Sequence, residues 1–231
     1  MITIHGMPRS RSTRALWALE EAGLEYVFEP LDAMKGALRS ADYLALNPGG
    51  KVPTLVDDSG EAPFVLTESG AIVTYIGQQV PERGLVPPAG TRAHGHYLQW
   101  VCFVISELEQ PLWTMSKHTF ALPEKLRVPD IKPTATKEFA RAADVLARGL
   151  TDREHLLGDT FTMADVLAGH TLVWATMMYK LELPERVAAY GQRVLGRPAL
   201  ARAMAREAAA RAQGLLSPAE QALRAERAPS E

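Results

Sequence analysis

Two hydrophobic periods divide the chain. Up to about residue 80, alternating runs are interleaved with helical stripes; from Thr91 onward helical spacing prevails. "MITIHG" alternates apolar and polar positions and predicts a strand. From Ser12 to Ala22, the residues Ala15, Leu16, Trp17, Leu19 and Ala22 form one helical stripe. Gly23 stands where a helix end takes a positive φ. "EYVFEPL" predicts a second strand, Met34 to Leu46 a helical or irregular stretch, and "NPGG" a turn. "PTLVDDSGEAPFVLT" predicts a hairpin about Asp58-Ser59-Gly60, and "ESGAIVTYIGQQV" a helix. The order is β-α-β-(α)-β-β-α. Its first crossover suits a parallel pair, and the hairpin adds antiparallel strands.

"PERGLVPPAG" is rich in turn formers and predicts a linker over 81–92. Beyond it the pattern predicts helices over Ala93 to about Thr119, Thr134–Gly149, Thr162 to about Tyr179, Pro184–Leu195 and Pro198–Gln213. "ALPEKLRVPDIKP" is a proline-rich loop between the first two, and the charged, alanine-rich tail after Leu216 is expected to fray. The expected architecture is a small α/β domain over 1–80 and a larger all-helical domain over 93–231. A cleft between two such domains is a common place for a small-molecule site.

Composition narrows the function classes. A net charge of −2 over 231 residues gives no support for a general nucleic-acid binder. The arginines in "RPALARAMAREAAARAQ" alternate with alanine and glutamate and read as a solvated helix face. "MITIHGMP" is too short and too polar for a signal peptide, and no apolar run approaches the ~20 residues of a membrane span, so a cytoplasmic location is expected. The single cysteine, Cys102, permits no intrachain disulfide and no Cys-x-x-Cys site. Its place in "YLQWVCFVISELE" predicts core filler.

Three short segments carry candidate chemistry. In "GGKVPTLVDD", Val52-Pro53 sits where a turn becomes a strand. Proline there simply opens the strand, or a cis bond leaves the Val52 backbone free to pair with an extended, peptide-like ligand. In "VLTESGAIVTYI", Glu68 and Ser69 fall at a helix start. They either cap it or hold the paired charges of an α-amino acid: the helix start and the serine hydroxyl suit a carboxylate, and Glu68 an ammonium. In "HGMPRSRSTR", two serines and three arginines stand between a strand and a helix.

Taken together, the "S-x-S/R…LEE-x-G" helix, "NPGGKVPTLVDD", "LTESGAIVTYI" and "GDTFTMADVLAG" resemble the cytosolic glutathione transferases, in that family's order and spacing, from about Met1 to Met204. The resemblance implies a thioredoxin-like α/β N-terminal domain, an all-α C-terminal domain and a homodimer. It implies that the Val52-Pro53 bond is cis and that the Val52 backbone pairs with the cysteinyl part of glutathione. It assigns Glu68-Ser69 to the γ-glutamyl end and Arg39 or Lys51 to the glycyl carboxylate. "FTMADV" resembles the family's helix-capping motif, with Thr162 at the cap, Asp165 three residues on, and Phe161 and Val166 at staple positions.

The family's shared act is to ionise the glutathione thiol, ordinarily near a pKa of about 8.5, beside a hydroxyl or thiol donor. No tyrosine precedes Tyr26 and no cysteine precedes Cys102, which leaves Ser10, Ser12 and Thr13 as side-chain donors, with Arg11 as a source of positive charge. Ser10, on the loop feeding the helix, is the expected donor, and Ser12 is expected at the N-cap. The implied activity is transfer of glutathione to a small hydrophobic electrophile, with glutathione as co-substrate and no further cofactor or metal. Glutathione-dependent disulfide reduction, peroxidase, dehalogenase or isomerase chemistry, and a noncatalytic glutathione-binding regulatory module, stand as alternatives. Met7, Trp100, Phe103, Trp113, Met115 and Phe120 are candidates either for the electrophile pocket, expected between the first-helix loop and the helix from Ala93, or for the core.

Overall fold

The computed structural model describes residues 1–212, so the tail expected to fray after Leu216 lies outside the described residues, as does Gln213. The chain separates into two compact units. Among the described residues, one comprises Met1–Ile76 with Pro198–Ala212; the other is Gly77–Arg197.

The first unit is built on a four-stranded sheet in the order β2-β1-β3-β4, with β1 Ile2–Gly6, β2 Tyr26–Pro30, β3 Thr54–Asp57 and β4 Phe64–Thr67. β1 and β2 are parallel, joined through helix α1 (Ser12–Ala22), while β3 runs antiparallel to both β1 and β4. This is the strand and helix order the pattern predicts, and the thioredoxin-like arrangement the resemblance implies. α1 keeps the predicted bounds and ends at Gly23, whose φ of 64° is the left-handed value a side chain disfavours. The stretch from Met34 to Leu46 resolves into a 3₁₀ turn, Ala37–Arg39, and a short helix α2, Ala41–Leu46. Helix α3 covers Ser69–Gln78. Ile4, Leu16, Trp17, Leu19, Leu55 and Ile72 form the sheet-and-helix core of this unit, all fully buried.

The last described helix, Pro198–Ala212, is α9 in chain order and packs on α1 of the first unit. Its expected solvated face is also an anchored one. The Arg202 guanidinium makes a 2.7 Å ion pair with Glu20 and donates to the Glu20 carbonyl, and Arg206 lies over the Tyr26 ring. The side of α9 toward α1 carries Ala199, Ala203, Glu207 and Ala210, all buried.

The second unit is helical: α4 Arg92–Phe103, α5 Gln110–Ser116, α6 Lys132–Leu150, α7 Met163–Val173 and α8 Glu185–Leu195. The expected linker differs. Leu85 and Val86 are buried, and the Leu85 carbonyl accepts from the Met163 N–H at 2.9 Å, so this segment is part of the unit's packing. The single helix expected from Ala93 is divided by π-helical turns at Val104–Leu108 and Lys117–Ala121. Pro111, in the first turn of α5, has no N–H to continue the ladder, and the Glu109 N–H reaches back to the Val104 carbonyl.

Cys102 is exposed rather than in the core. The buried face of α4 and its continuation follows Tyr97, Val101, Val104 and Leu108, and Cys102 lies off it beside the exposed Leu98 and Ile105. Trp100 and Met115 are buried in this unit, with Trp100 edge-on to Phe103 and packed over Gly149, in keeping with core roles.

The capping motif at the start of α7 is present in both directions between Thr162 and Asp165. Asp165 does more than cap. It is fully buried, and its carboxylate also accepts from the Leu156 N–H at 3.0 Å and the Tyr190 hydroxyl at 2.8 Å. Asp165→Ala strands several buried donors, so a loss of about 3 kcal/mol or more is expected, beyond the ~0.5–2 kcal/mol of a simple cap. Urea denaturation of the variant measures it; an unmoved midpoint contradicts the assignment.

Candidate functional site

Strand register brings the three candidate segments to one end of the sheet. His5 of β1 is paired with Thr54, the first residue of β3, and Thr54 is paired with Thr67, the last of β4. The loop after Gly6, the Val52-Pro53 step before Thr54, and Glu68-Ser69 after Thr67 therefore leave the sheet side by side.

The first segment is the loop from Met7 to Arg11. A β-carbon on Gly6 would come 2.5 Å from Ser12 Oγ and 3.0 Å from Phe28, so only glycine lets β1 end this close to the start of α1. Ser12 is fully buried, and its Oγ accepts the Met7 N–H at 3.1 Å. Its expected place at the N-cap is corrected: Arg11 holds that position without a side-chain cap bond, and Ser12 is the first helical residue. The capping oxygen is that of Ser10, which accepts the Ser12 N–H at 3.1 Å. Ser10 is half-buried; its hydroxyl also lies 2.7 Å from the Met7 carbonyl, to which it donates, and 3.0 Å from Ser12 Oγ. Thr13 donates its hydroxyl to Glu207 of α9 at 2.6 Å. Ser12 and Thr13 are thus committed to the fold, and Ser10 is the serine of the pair with exposure.

The second segment is the turn before β3. The Val52-Pro53 bond is cis, as the resemblance implies. Asn47 organises the approach to it: Nδ2 donates to the Lys51 carbonyl (2.8 Å) and to Thr54 Oγ1 (3.0 Å), while Oδ1 accepts from the Gly49 N–H at 3.0 Å. The Tyr43 hydroxyl bonds the same Lys51 carbonyl and Thr54 hydroxyl. Burial raises the Tyr43 pKa, which keeps that phenol protonated and donating. Among the described residues, neither the N–H nor the C=O of Val52 has a hydrogen-bond partner. Lys51 is exposed, and the exposed Arg39 lays its guanidinium against Gly50, so both cations flank the same turn.

The third segment is the start of α3. Glu68 is exposed and takes a φ of 66°, and its carbonyl accepts the Ile72 N–H. Ser69 is buried, and its Oγ accepts from Arg14 Nη1 at 3.1 Å. An accepted bond from a cation leaves the Ser69 hydrogen free to donate outward, beside the first-turn N–H groups of α3.

The sequence reading missed Arg14, Asn47, Tyr43, Gly6 and Glu207. Asn47 had a visible signal in "NPGG", read only as a turn. Arg14 and Glu207 depend on partners far along the chain, while Gly6 depends on the packing of Ser12 against it and Tyr43 on the shape of the turn at Lys51 and Thr54. Among the described residues, no group of three or more His, Cys, Asp or Glu side chains is placed to hold a metal ion. No described helix is long and apolar enough to cross a membrane.

A four-stranded sheet of this topology, with a turn, a helix start and a serine loop at one end, defines a thioredoxin-like domain, and comparison with known proteins gives the family. The glutathione S-transferase N-terminal domain matches residues 1–78, and the glutathione S-transferase C-terminal domain matches 118–206. The glutathione S-transferase GstA of Escherichia coli O157:H7 is 30% identical over 191 residues, 82% of this chain and 90% of that protein. The disulfide-bond oxidoreductase YfcG of Escherichia coli K12 is 27% identical, covering 88% and 94%. The theta class glutathione S-transferase of Xanthomonas axonopodis pv. citri, solved with glutathione bound, superposes with a TM-score of 0.73 at 28% identity, over 88% of this chain and 96% of that one. The chain belongs to the glutathione S-transferase family.

Asn47→Ala removes one acceptor and two donated bonds at a buried position. It is expected to cost about 1–3 kcal/mol and to speed amide exchange at Gly49. Exchange measured by NMR checks this; an unchanged Gly49 rate contradicts the role of Asn47 in holding the turn.

Proposed function

We propose that the protein binds glutathione at this end of the sheet, holds it as the thiolate, and transfers it to a small hydrophobic electrophile. The observation that carries the reading is the unpartnered Val52 backbone beside the Ser10 loop and the Ser69 hydroxyl. An extended tripeptide pairs with Val52 as an added strand would. Its γ-glutamyl carboxylate meets the Ser69 hydroxyl and the α3 N-terminus, and its ammonium meets Glu68. Its glycyl carboxylate lies toward Arg39 and Lys51. That pose puts the cysteinyl sulfur at the Met7–Arg11 loop, within the positive end of α1.

Ser10 is the donor in this reading. Its hydrogen bonds the neutral Met7 carbonyl. A thiolate competes well for it, because a hydrogen bond to a charged acceptor is roughly twice as strong as one between neutral groups. The Ser12 N–H bond to Ser10 Oγ remains and keeps the oxygen in place. The thiolate then attacks an electrophilic carbon, forming a C–S bond as the leaving group departs with its electron pair or a strained ring opens. Glutathione serves as co-substrate, with no other cofactor. The resemblance supports a cytoplasmic homodimer as part of the same proposal.

A second reading rests on the similarity to YfcG. The same thiolate attacks a disulfide sulfur, giving a mixed disulfide and one free thiolate, and a second glutathione thiolate releases the other as glutathione disulfide forms. Two glutathione thiols are oxidised and one disulfide is reduced, so no protein cysteine takes part. Turnover assays with glutathione against aryl halides, epoxides, hydroperoxides and mixed disulfides separate the two; failure of every acceptor, with glutathione still bound, contradicts both.

Ser10→Ala is expected to raise the pKa of bound glutathione by about one unit and to lower kcat roughly tenfold at pH values below that pKa, since one unit corresponds to about 1.36 kcal/mol. Thiolate absorbance against pH reads it, and an unshifted titration removes Ser10 from the role. Glu68→Ala and Ser69→Ala touch the remote end of the substrate equally before and during reaction. They are expected to raise KM for glutathione more than they lower kcat. Steady-state kinetics showing kcat collapse at constant KM contradict that placement.

A further inference from the structure

Glu207 lies on α9, just beyond the residues 118–206 matched by the C-terminal family domain, and no role in the reaction has been attached to it above. It is an acidic residue with 4% of its surface exposed. One carboxylate oxygen is directed at the loop that carries Ser10 and the other at the first turn of α1. Oε2 accepts the Arg9 N–H at 3.0 Å, and Oε1 accepts the Thr13 hydroxyl at 2.6 Å. These two anchors bracket Ser10, one residue before it and three after.

Arg9 is itself conformationally unusual. Its φ is 50°, a left-handed value in a residue with a side chain. Such a conformation persists when its surroundings over-determine it, and the Glu207 carboxylate is what holds this N–H. The turn at Arg9 sets the direction in which the chain enters Ser10. We propose that Glu207 is a positioning residue of the glutathione site: it holds Arg9 in the left-handed turn and so fixes the placement of the Ser10 hydroxyl for the thiolate. Thr13 serves as the second anchor, which prevents the carboxylate from rotating away from Arg9. This inference rests on the proposed glutathione-thiolate function and adds a residue from the opposite end of the chain to it.

Generic docking of α9 on α1 has a separate handle. Arg202 pairs with Glu20 without touching the Met7–Arg11 loop, so Arg202→Ala weakens the helix contact alone.

The test uses Glu207→Ala, Glu207→Asp, Glu207→Gln and Arg202→Ala in the full chain. Three quantities are read: the pH titration of bound glutathione thiolate, kcat across the same pH range, and the Kd of S-methylglutathione. Aspartate keeps the charge but is one methylene too short to serve both Arg9 and Thr13. Glutamine keeps the reach and an acceptor for the Arg9 N–H. The expected result is a thiol pKa raised by about one unit and, at pH values below that pKa, a kcat lowered roughly tenfold in Ala and Asp. The Gln variant is expected to show less than a third of that shift. The Kd should stay within about twofold in all, because Val52, Glu68 and Ser69 still hold the tripeptide. Arg202→Ala is expected to lower the Tm without shifting the titration. If the Ala variant does not fold, Asp against Gln decides. An unshifted titration in Asp and Ala, an equal shift in Arg202→Ala, or a loss confined to Kd overturns the proposal while the function stands. A wild-type protein that binds no glutathione, or binds it without ionising the thiol, overturns the function itself and this inference with it.

Discussion

The turn from β1 into α1 is the constraint on which the site depends. Met7 gives its N–H to a buried serine hydroxyl, Gly6 gives up a side chain so that the serine fits, and Ser10 caps the helix that follows. These are few bonds, yet they settle the remaining geometry. With Ser12 turned inward, Ser10 is the serine left with an exposed face. With α1 begun at Ser12, Arg14 falls where it reaches Ser69 at the start of α3. The fully buried Arg14 therefore links the two helix starts that the proposed substrate spans.

Local backbone strain follows the same map. In the first unit, the described non-glycine residues with positive φ are Arg9 and Glu68, and both stand at this end of the sheet. Each costs on the order of 1 kcal/mol or more, which the surrounding bonds must offset. At Arg9 the offset comes from Glu207, and at Glu68 from the α3 bond between its carbonyl and Ile72. Val52 adds unpartnered backbone polar groups at a half-buried position. A domain optimised only for stability would fill such positions. Their concentration at one place fits the proposed binding edge better than an ordinary sheet end.

Much of this was readable along the chain because it is local. α1 with its glycine stop, the hairpin, the Thr162–Asp165 capping box, and the placement of Val52-Pro53 and Glu68-Ser69 all follow from residues within a few positions of one another. What escaped reading is long-range. Glu207 meets Arg9 across 198 residues, and Arg14 meets Ser69 across 55. Nothing in the alanine- and arginine-rich run around Glu207 separates a buried clamp from a solvated face, since both follow the same helical spacing. The apolar neighbours of Cys102 predict a core position, yet α4 and its continuation bury the stripe beside it and expose Leu98, Cys102 and Ile105 together. The π-helical turns that interrupt the α4 stretch shift its register in a way no fixed period anticipates.

The direct test of the central claim, that this loop ionises a thiol, is the proton balance of binding. Free glutathione is mostly protonated at pH 7, with a thiol pKa of about 8.5. Calorimetric titration in two buffers of different ionisation enthalpy gives the number of protons released per glutathione bound. A site that binds the thiolate releases about one at pH 7, while S-methylglutathione, bound at the same place, releases none. Glutathione bound with no proton released would contradict the claim and leave a protein that holds the tripeptide without activating it.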